Sequence, residues 1–423
     1  MSFDATCARS DSSVRGVACA GGTMSRRTRR ERRGQDEREV IPQRAAELTA
    51  EWFTQILATG ATVAEVRCEE IGAGVGFLGE VHRCHLTWEP IASGGDAAPL
   101  PASVIVKTPT QIPENFAAGD ALRSYEREIV VYQQLRTTLG VPMPGYYHGA
   151  MDPDPAPWMQ RPLFFLFDHL SVRGINWVIA QFLKLSGKSK RRYVLVIEDF
   201  ADARPPSQML GGSLDDARRS LEVLARFHAT NWMRSDATQH YRHIFPVDTV
   251  PRVGQASYVR NRGEFVARFG PVLVDGMLER LDAIQERVPE ICSSLAAEPW
   301  TLLHGDYRLD NVLFRPSGEM VVLDFQGLSS GRPAVDVAYF ITTALTAEHR
   351  EHEESLLRSY HDALVAAGVS SYSFDQLVRD GELSKELLAH RLVGSADVLD
   401  TSVAADGDHF LDVIQLRVLD WLE

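Results

Sequence analysis

Three residues on one short stretch, and a fourth beyond it, are of the types that move a phosphoryl group. His304-Gly305-Asp306 is followed by Asn311, five residues after Asp306, and by Asp324, eighteen after it. Asp324 ends the apolar run Val321-Val322-Leu323 and opens Asp324-Phe325-Gln326. In this order the first carboxylate orients a hydroxyl and accepts its proton late in a loose transition state. The Asn311 amide offers a neutral oxygen to a metal, and Asp324 offers the hard anionic oxygen that Mg²⁺ prefers. The chemistry is transfer of the γ-phosphate of ATP to a hydroxyl, with ATP and Mg²⁺ as cofactors. Single aspartates commonly end strands or cap helices, so it is the ordered set that carries the reading.

Other elements must hold the phosphates against these residues. Val104-Ile105-Val106-Lys107 reads as a strand ending in the cation that orients them. The next predicted helix, residues 120–139, carries Glu128 to pair with Lys107. Glu126 competes, but Glu128 lets Ile129 and Tyr132 face the core. Gly72, Gly74 and Gly76 lie in a turn between two strands, where glycines let backbone N–H groups approach phosphate oxygens. The turn is neither a Walker loop nor a dinucleotide fingerprint, because no Gly-Lys-Ser/Thr follows and the chain continues as strand. Glu198 and Phe200 follow the apolar strand Tyr193–Ile197, where backbone groups are placed to hold an adenine edge. His228 reads as a packed histidine near the loop, and Asp336 as a helix cap or a holder of the loop.

A β-rich first half and a helix-rich second half give α+β in two lobes. The expected division is a disordered basic tail over 1–40, a nucleotide-covering lobe over 41–200, and a helical lobe over 201–423 with the loop and the acceptor site. Met24 is an alternative start to the chain. Predicted helices are 44–58, 120–139, 174–186, 214–233, 272–288, 346–367, 383–399 and 407–422. Residues 150–190 interrupt the order, with Leu163–Phe167 as a strand candidate and a basic turn around Lys184, Lys188, Lys190, Arg191 and Arg192. This insertion packs on its own lobe, covers the substrate, or meets a second copy.

The chain has 423 residues, 44% hydrophobic and 24% charged, with a formal net charge of −13. The acidic balance disfavours nucleic acid, which calls for a basic face. No apolar run is long enough to span a bilayer. Five cysteines without a CxxC pair argue against a disulfide framework or zinc site and for a reducing cytoplasm.

His304-Gly305-Asp306 with Asn311, Asp324-Phe325-Gln326, and the stretch Gly331 to Tyr339 resemble the aminoglycoside phosphotransferase and choline kinase superfamily. The Asp-Phe-Gln form, Glu128 to Tyr132 and the Asp336 motif look most like its ecdysteroid-kinase-like branch. The resemblance spans roughly residues 60–345. It implies a protein-kinase-like fold with ATP between the lobes, Asp306 as base, Asn311 and Asp324 on Mg²⁺, and Lys107 on the α- and β-phosphates. Gln326 departs from the Asp-Phe-Gly of protein kinases, and eleven residues between Asp324 and Asp336 leave no room for a long activation loop. The expected partner is a small-molecule hydroxyl acceptor. The aromatic insertion favours a hydrophobic one, a steroid-like or acyl alcohol. The alternatives are an aminoglycoside or macrolide resistance kinase, for which Asp397, Asp400, Asp406 and Asp408 would be the acidic face, and a catalytically silent nucleotide-binding scaffold.

Overall fold

The computed structural model describes residues 40–72, 78–90, 99–154, 160–186, 190–240, 243–395 and 407–422. The expected tail lies outside them except for Val40. So do Gly74, Gly76, Lys188, Asp397, Asp400, Asp406 and the side chains of Lys184 and Asp408.

In the first half come α1 (Ala50–Leu57), β1 (Val63–Ile71), β2 (Gly79–Trp88), β3 (Ser103–Pro109), α2 (Pro113–Ala121) and α3 (Ser124–Val130). α3 runs on as a wider π-type turn over Val131–Leu135. Then follow β4 (Tyr146–Met151), α4 (Gln160–His169), α5 (Val172–Ser186) and β5 (Tyr193–Glu198). The second half comprises α6 (Leu214–Thr230), α7 (Ser235–His240), β6 (Phe245–Pro246), α8 (Pro251–Phe269), α9 (Met277–Ala296), β7 (Thr301–Leu303), β8 (Val312–Phe314), β9 (Met320–Val322), β10 (Ser329–Gly331), α10 (Ala334–Ala344), α11 (Glu353–Ala366), α12 (Phe374–Gly394) and α13 (Gly407–Asp420). This is the α+β, two-lobed, protein-kinase-like arrangement.

β1 to β5 form one antiparallel sheet in the order β1-β2-β3-β5-β4. Strand alternation sorts its faces. Val104, Val106, Val194 and Val196 are buried against Trp52 and Phe53 of α1. Burying a side chain such as Phe53 contributes about 2–3 kcal/mol. Lys107, out of phase with Val104 and Val106, reaches the opposite face, toward α3. β5 has apolar neighbours on both faces, as its unbroken apolar run requires.

Residues 163–167 are helical, which corrects the strand expectation. Leu163, Phe164, Phe167 and Leu170 share one face, packed with Ile175 and Ile179 of α5 and Val253 and Ala256 of α8, while Phe165 and Leu166 are exposed. A five-residue apolar run fits a buried strand or an amphipathic helix equally until its partners are known. The insertion packs against α2 and α8 both, so it reaches across to the helical half. Two residues of its basic turn are paired with carboxylates. Arg191 is buried on Asp120 (3.1 Å) and Glu126 (3.2 Å), and Arg192 pairs with Asp152 (2.9 Å).

The expectation against disulfides is also corrected. Cys68 and Cys84 face each other across β1 and β2, with Cα atoms 4.1 Å apart, and are bonded. That separation belongs to the non-hydrogen-bonded pairs of an antiparallel ladder. Cys292 is free and buried. For a loop of this length the bond contributes about 2–3 kcal/mol. The Cys68→Ala, Cys84→Ala chain is therefore expected to unfold at lower urea than the parent without reductant. Equal midpoints would contradict the bond. No helix among the described residues is long and apolar enough to cross a membrane.

Candidate active site

The β8–β9 hairpin brings the two candidate metal ligands together. Val312 pairs with Val322, and Leu323 N–H donates to the Asn311 carbonyl (2.8 Å), so Asn311 and Asp324 flank one end of the ladder. Asn311 Nδ2 donates to the Asp306 carbonyl (2.8 Å) and to Asp306 Oδ2 (2.9 Å). With its nitrogen committed, Asn311 Oδ1 is the amide atom available to a cation. Asp324 has φ 60°, a left-handed conformation uncommon outside glycine, and accepts from Gln326 N–H (3.4 Å). An amide oxygen and one carboxylate suit Mg²⁺, which keeps waters and takes substrate phosphate oxygens for the rest of its shell.

Lys107 Nζ sits 2.6 Å from Glu128 Oε1 and 3.8 Å from Asp324 Oδ1. Burial works to lower the Lys107 pKa, but Asp324 and Glu128 outweigh it and hold the ammonium above its usual range. Burial pushes the Glu128 carboxyl up, against the pull of Lys107. The rival Glu126 is engaged elsewhere, with Arg191 (3.2 Å) and His243 (3.0 Å). Ile129 and Tyr132 are buried, as the chosen helix phase requires.

Gln326, first noticed only as a departure from glycine, donates Nε2–H to Glu128 Oε2 (3.2 Å). Its carbonyl accepts from the half-buried Arg127 guanidinium, which also donates to the His243 carbonyl (2.8 Å). Side chain and backbone of the Asp-Phe-Gln motif are thus both tied to α3. A hydrogen bond to a charged group contributes about 1.5 kcal/mol, a factor of about ten in affinity. Gln326→Gly is expected to raise the KM for ATP about tenfold while kcat stays within a few-fold. An unchanged KM would show that Glu128 needs no such support.

The loop itself hangs from Asp336. Its Oδ2 accepts from His304 N–H (2.6 Å) and its Oδ1 from Gly305 N–H (3.0 Å). His228 Nε2 lies 3.2 Å from Oδ2, and His228 Nδ1 lies 2.7 Å from the Tyr360 hydroxyl. Burial lowers the His228 pKa against the opposing effect of Asp336, so the neutral ring donates from Nε2. His304 Nδ1 accepts from Asp306 N–H (3.3 Å), which leaves its Nε2–H to donate to the Leu323 carbonyl (2.8 Å). One imidazole thereby couples Asp306 to the residue preceding Asp324.

Of the remaining candidates, Gly72 follows β1 with φ 67° and open space around it. The far foot of the turn is fixed by Tyr125, whose hydroxyl donates to the Leu78 carbonyl. Glu198 Oε2 accepts from Gly145 N–H (2.9 Å), so its side chain braces the strand end. Asp199 is clamped by Arg83 (2.8 Å) and Ser103 (2.6 Å). The Phe200 ring lies under Arg315 (5.0 Å), and its carbonyl accepts from Ala203 N–H (3.0 Å). The Glu198 and Asp199 side chains are thus engaged within the protein. Two residues outside the candidate set also touch Asp306, namely Tyr339 and Arg308.

Residues 176–369, a little under half of the chain, match the profile of the ecdysteroid kinase-like family. The match starts later and ends later than the span read from the motifs, and it includes Asp306, Asn311, Asp324 and Asp336. By class the chain is a small-molecule kinase, similar in this segment to that branch of the aminoglycoside phosphotransferase and choline kinase superfamily. Among solved structures, choline kinase from Cryptosporidium parvum Iowa II is 8% identical, over 84% of this chain and 88% of that one, with a TM-score of 0.48. Plasmodium vivax ethanolamine kinase is 10% identical over 94% and 95%, with a TM-score of 0.46. Macrolide 2'-phosphotransferase from Brachybacterium faecium is 14% identical over 86% and 97%, with a TM-score of 0.43. Likeness at this level says nothing about the acceptor. No curated protein matches the chain.

Proposed function

We propose that the chain transfers the γ-phosphate of ATP, bound with Mg²⁺, to a hydroxyl of a small molecule. The observation that carries this reading is two groups of side chains that the β8–β9 hairpin sets side by side. Lys107 lies on Glu128 at 2.6 Å and near Asp324 at 3.8 Å, and Asn311 joins Asp306 at 2.9 Å. Residues 41–200 are the nucleotide-covering lobe, and 201–423 carry the loop and the acceptor site. Lys107, kept protonated by its two carboxylates, orients the α- and β-phosphates. Asn311 Oδ1 and Asp324 would hold Mg²⁺, which when bound would supply positive charge to the phosphates. Asp306 orients the acceptor hydroxyl and takes its proton as the bond to phosphorus forms. Gly72, Gly74 and Gly76 cover the phosphates, and the backbone at Glu198 and Phe200 receives the adenine.

The acceptor is a hydrophobic alcohol, steroid-like or acyl. Phe164 of the insertion packs edge-on against Phe245 (5.3 Å), whose ring also faces Arg127 (5.9 Å), so apolar residues of the insertion adjoin the segment tied to Asp-Phe-Gln. The test is ADP release with Mg²⁺-ATP against aminoglycosides, macrolides, choline, steroids and hydroxyacyl-CoA. Stimulation by the apolar alcohols supports the reading. Stimulation by aminoglycosides or macrolides alone replaces the acceptor class. ATP binding with no stimulation by any alcohol supports the silent scaffold.

A further inference from the structure

Asp336 and Tyr339 lie three residues apart on α10, on one helix face. Asp336 holds the catalytic loop by its backbone N–H groups at His304 (2.6 Å) and Gly305 (3.0 Å). Tyr339 reaches the same loop by a side chain, its hydroxyl donating to Asp306 Oδ1 at 2.7 Å. The other oxygen, Oδ2, accepts from Asn311 Nδ2 at 2.9 Å. Arg308 Nε lies between them, 3.3 Å from Oδ1 and 3.4 Å from Oδ2. The carboxylate is therefore gripped at both oxygens by donors from two elements. A carboxylate on a free single-bonded side chain would sample several rotamers. Here the plane of the group is fixed before an acceptor arrives.

We infer that Tyr339 is a positioning residue for phosphoryl transfer, setting the rotamer of Asp306 so that its remaining lone pairs face the acceptor hydroxyl. The inference rests on the proposed role of Asp306 as base. It gives a task to the last residue of the Gly331–Tyr339 motif, which sequence reading leaves without one. Burial and the neighbouring Asp306 keep the Tyr339 hydroxyl protonated, so it stays a donor. The ring packs beside the Tyr258 and Phe265 cluster, so removing the oxygen alone leaves the packing in place.

The test is Tyr339→Phe in the full chain, alone and with Asp306→Ala. Steady-state ADP release is measured with Mg²⁺-ATP and the most stimulating acceptor of the panel. The single substitution is expected to lower kcat about 10- to 100-fold, with the KM for ATP within twofold. In the Asp306→Ala background it is expected to change kcat no further. A kcat within twofold of the parent, or the same loss with Asp306 absent, overturns the inference. Urea unfolding of the same four chains reads the contact without catalysis. Tyr339→Phe is expected to lower the midpoint in the parent and not in Asp306→Ala. Equal shifts in both backgrounds overturn the contact. If the parent turns over no faster than Asp306→Ala, phosphoryl transfer itself has failed, and the urea comparison still decides whether Tyr339 holds Asp306.

Discussion

Asp306→Ala is expected to lower acceptor-dependent ADP release by about 10³-fold while leaving the affinity for Mg²⁺-ATP within a few-fold. The split follows from how the loop is held. The Asp306 carboxylate is about one-third exposed (34%). Its removal takes away the carboxylate to which Tyr339 and Asn311 donate. The proposed metal and phosphate ligands lose little, because Asn311 Nδ2 also donates to the backbone carbonyl of residue 306 (2.8 Å), which alanine retains. Lys107 keeps Glu128 and Asp324 beside it. Calorimetric titration with Mg²⁺-ATP, beside the ADP assay, checks both halves. Loss of ATP binding would make Asp306 a structural residue. A fall of less than tenfold would remove it as the base.

Gly305→Ala is expected to destabilise the fold by about 3–5 kcal/mol, enough to cost most of the folded population of a marginal domain. Gly305 has φ 81°, which costs an L side chain about 1–2 kcal/mol. An added Cβ would also overlap the Gly327 carbonyl and lie 2.7 Å from its carbon. Both obstacles are backbone and cannot rotate away. Gly368 separates the two effects, since it has φ 103° and nothing within 4 Å of an added Cβ. Gly368→Ala therefore carries backbone strain alone, about 1–2 kcal/mol. Urea unfolding of both chains measures the difference. Equal losses would show that the close approach of Gly305 to Gly327 is not enforced.

Much of this cluster was legible because its geometry is local. The spacing from Asp306 to Asn311 and Asp324 is set by one loop and one hairpin, so sequence order becomes proximity directly. Lys107 and Glu128 were also readable, because strand alternation and helix phase each allow one choice. What the sequence hid depends on distant partners. The helix at 163–167 declares itself only against α5 and α8. That helix was missed outright because its buried face mixes Ala256 and Asn261 with Tyr258, Phe265 and Phe269 and shows no apolar stripe. The Cys68–Cys84 bond needs the β1–β2 register, which spacing alone does not give. Gln326 read as a departure until α3 was beside it, and Tyr339 had no role in the sequence until its hydroxyl was placed on Asp306.

The central claim is that this cluster moves a phosphoryl group from ATP to an alcohol. The most direct test follows label from γ-labelled ATP, incubated with Mg²⁺, the full chain and the acceptor panel, into organic phosphate. The account predicts label on a small-molecule hydroxyl, absent when Mg²⁺ is chelated and reduced about 10³-fold in Asp306→Ala. If Mg²⁺-ATP fails to bind, or label moves equally well without Asp306, the account is contradicted.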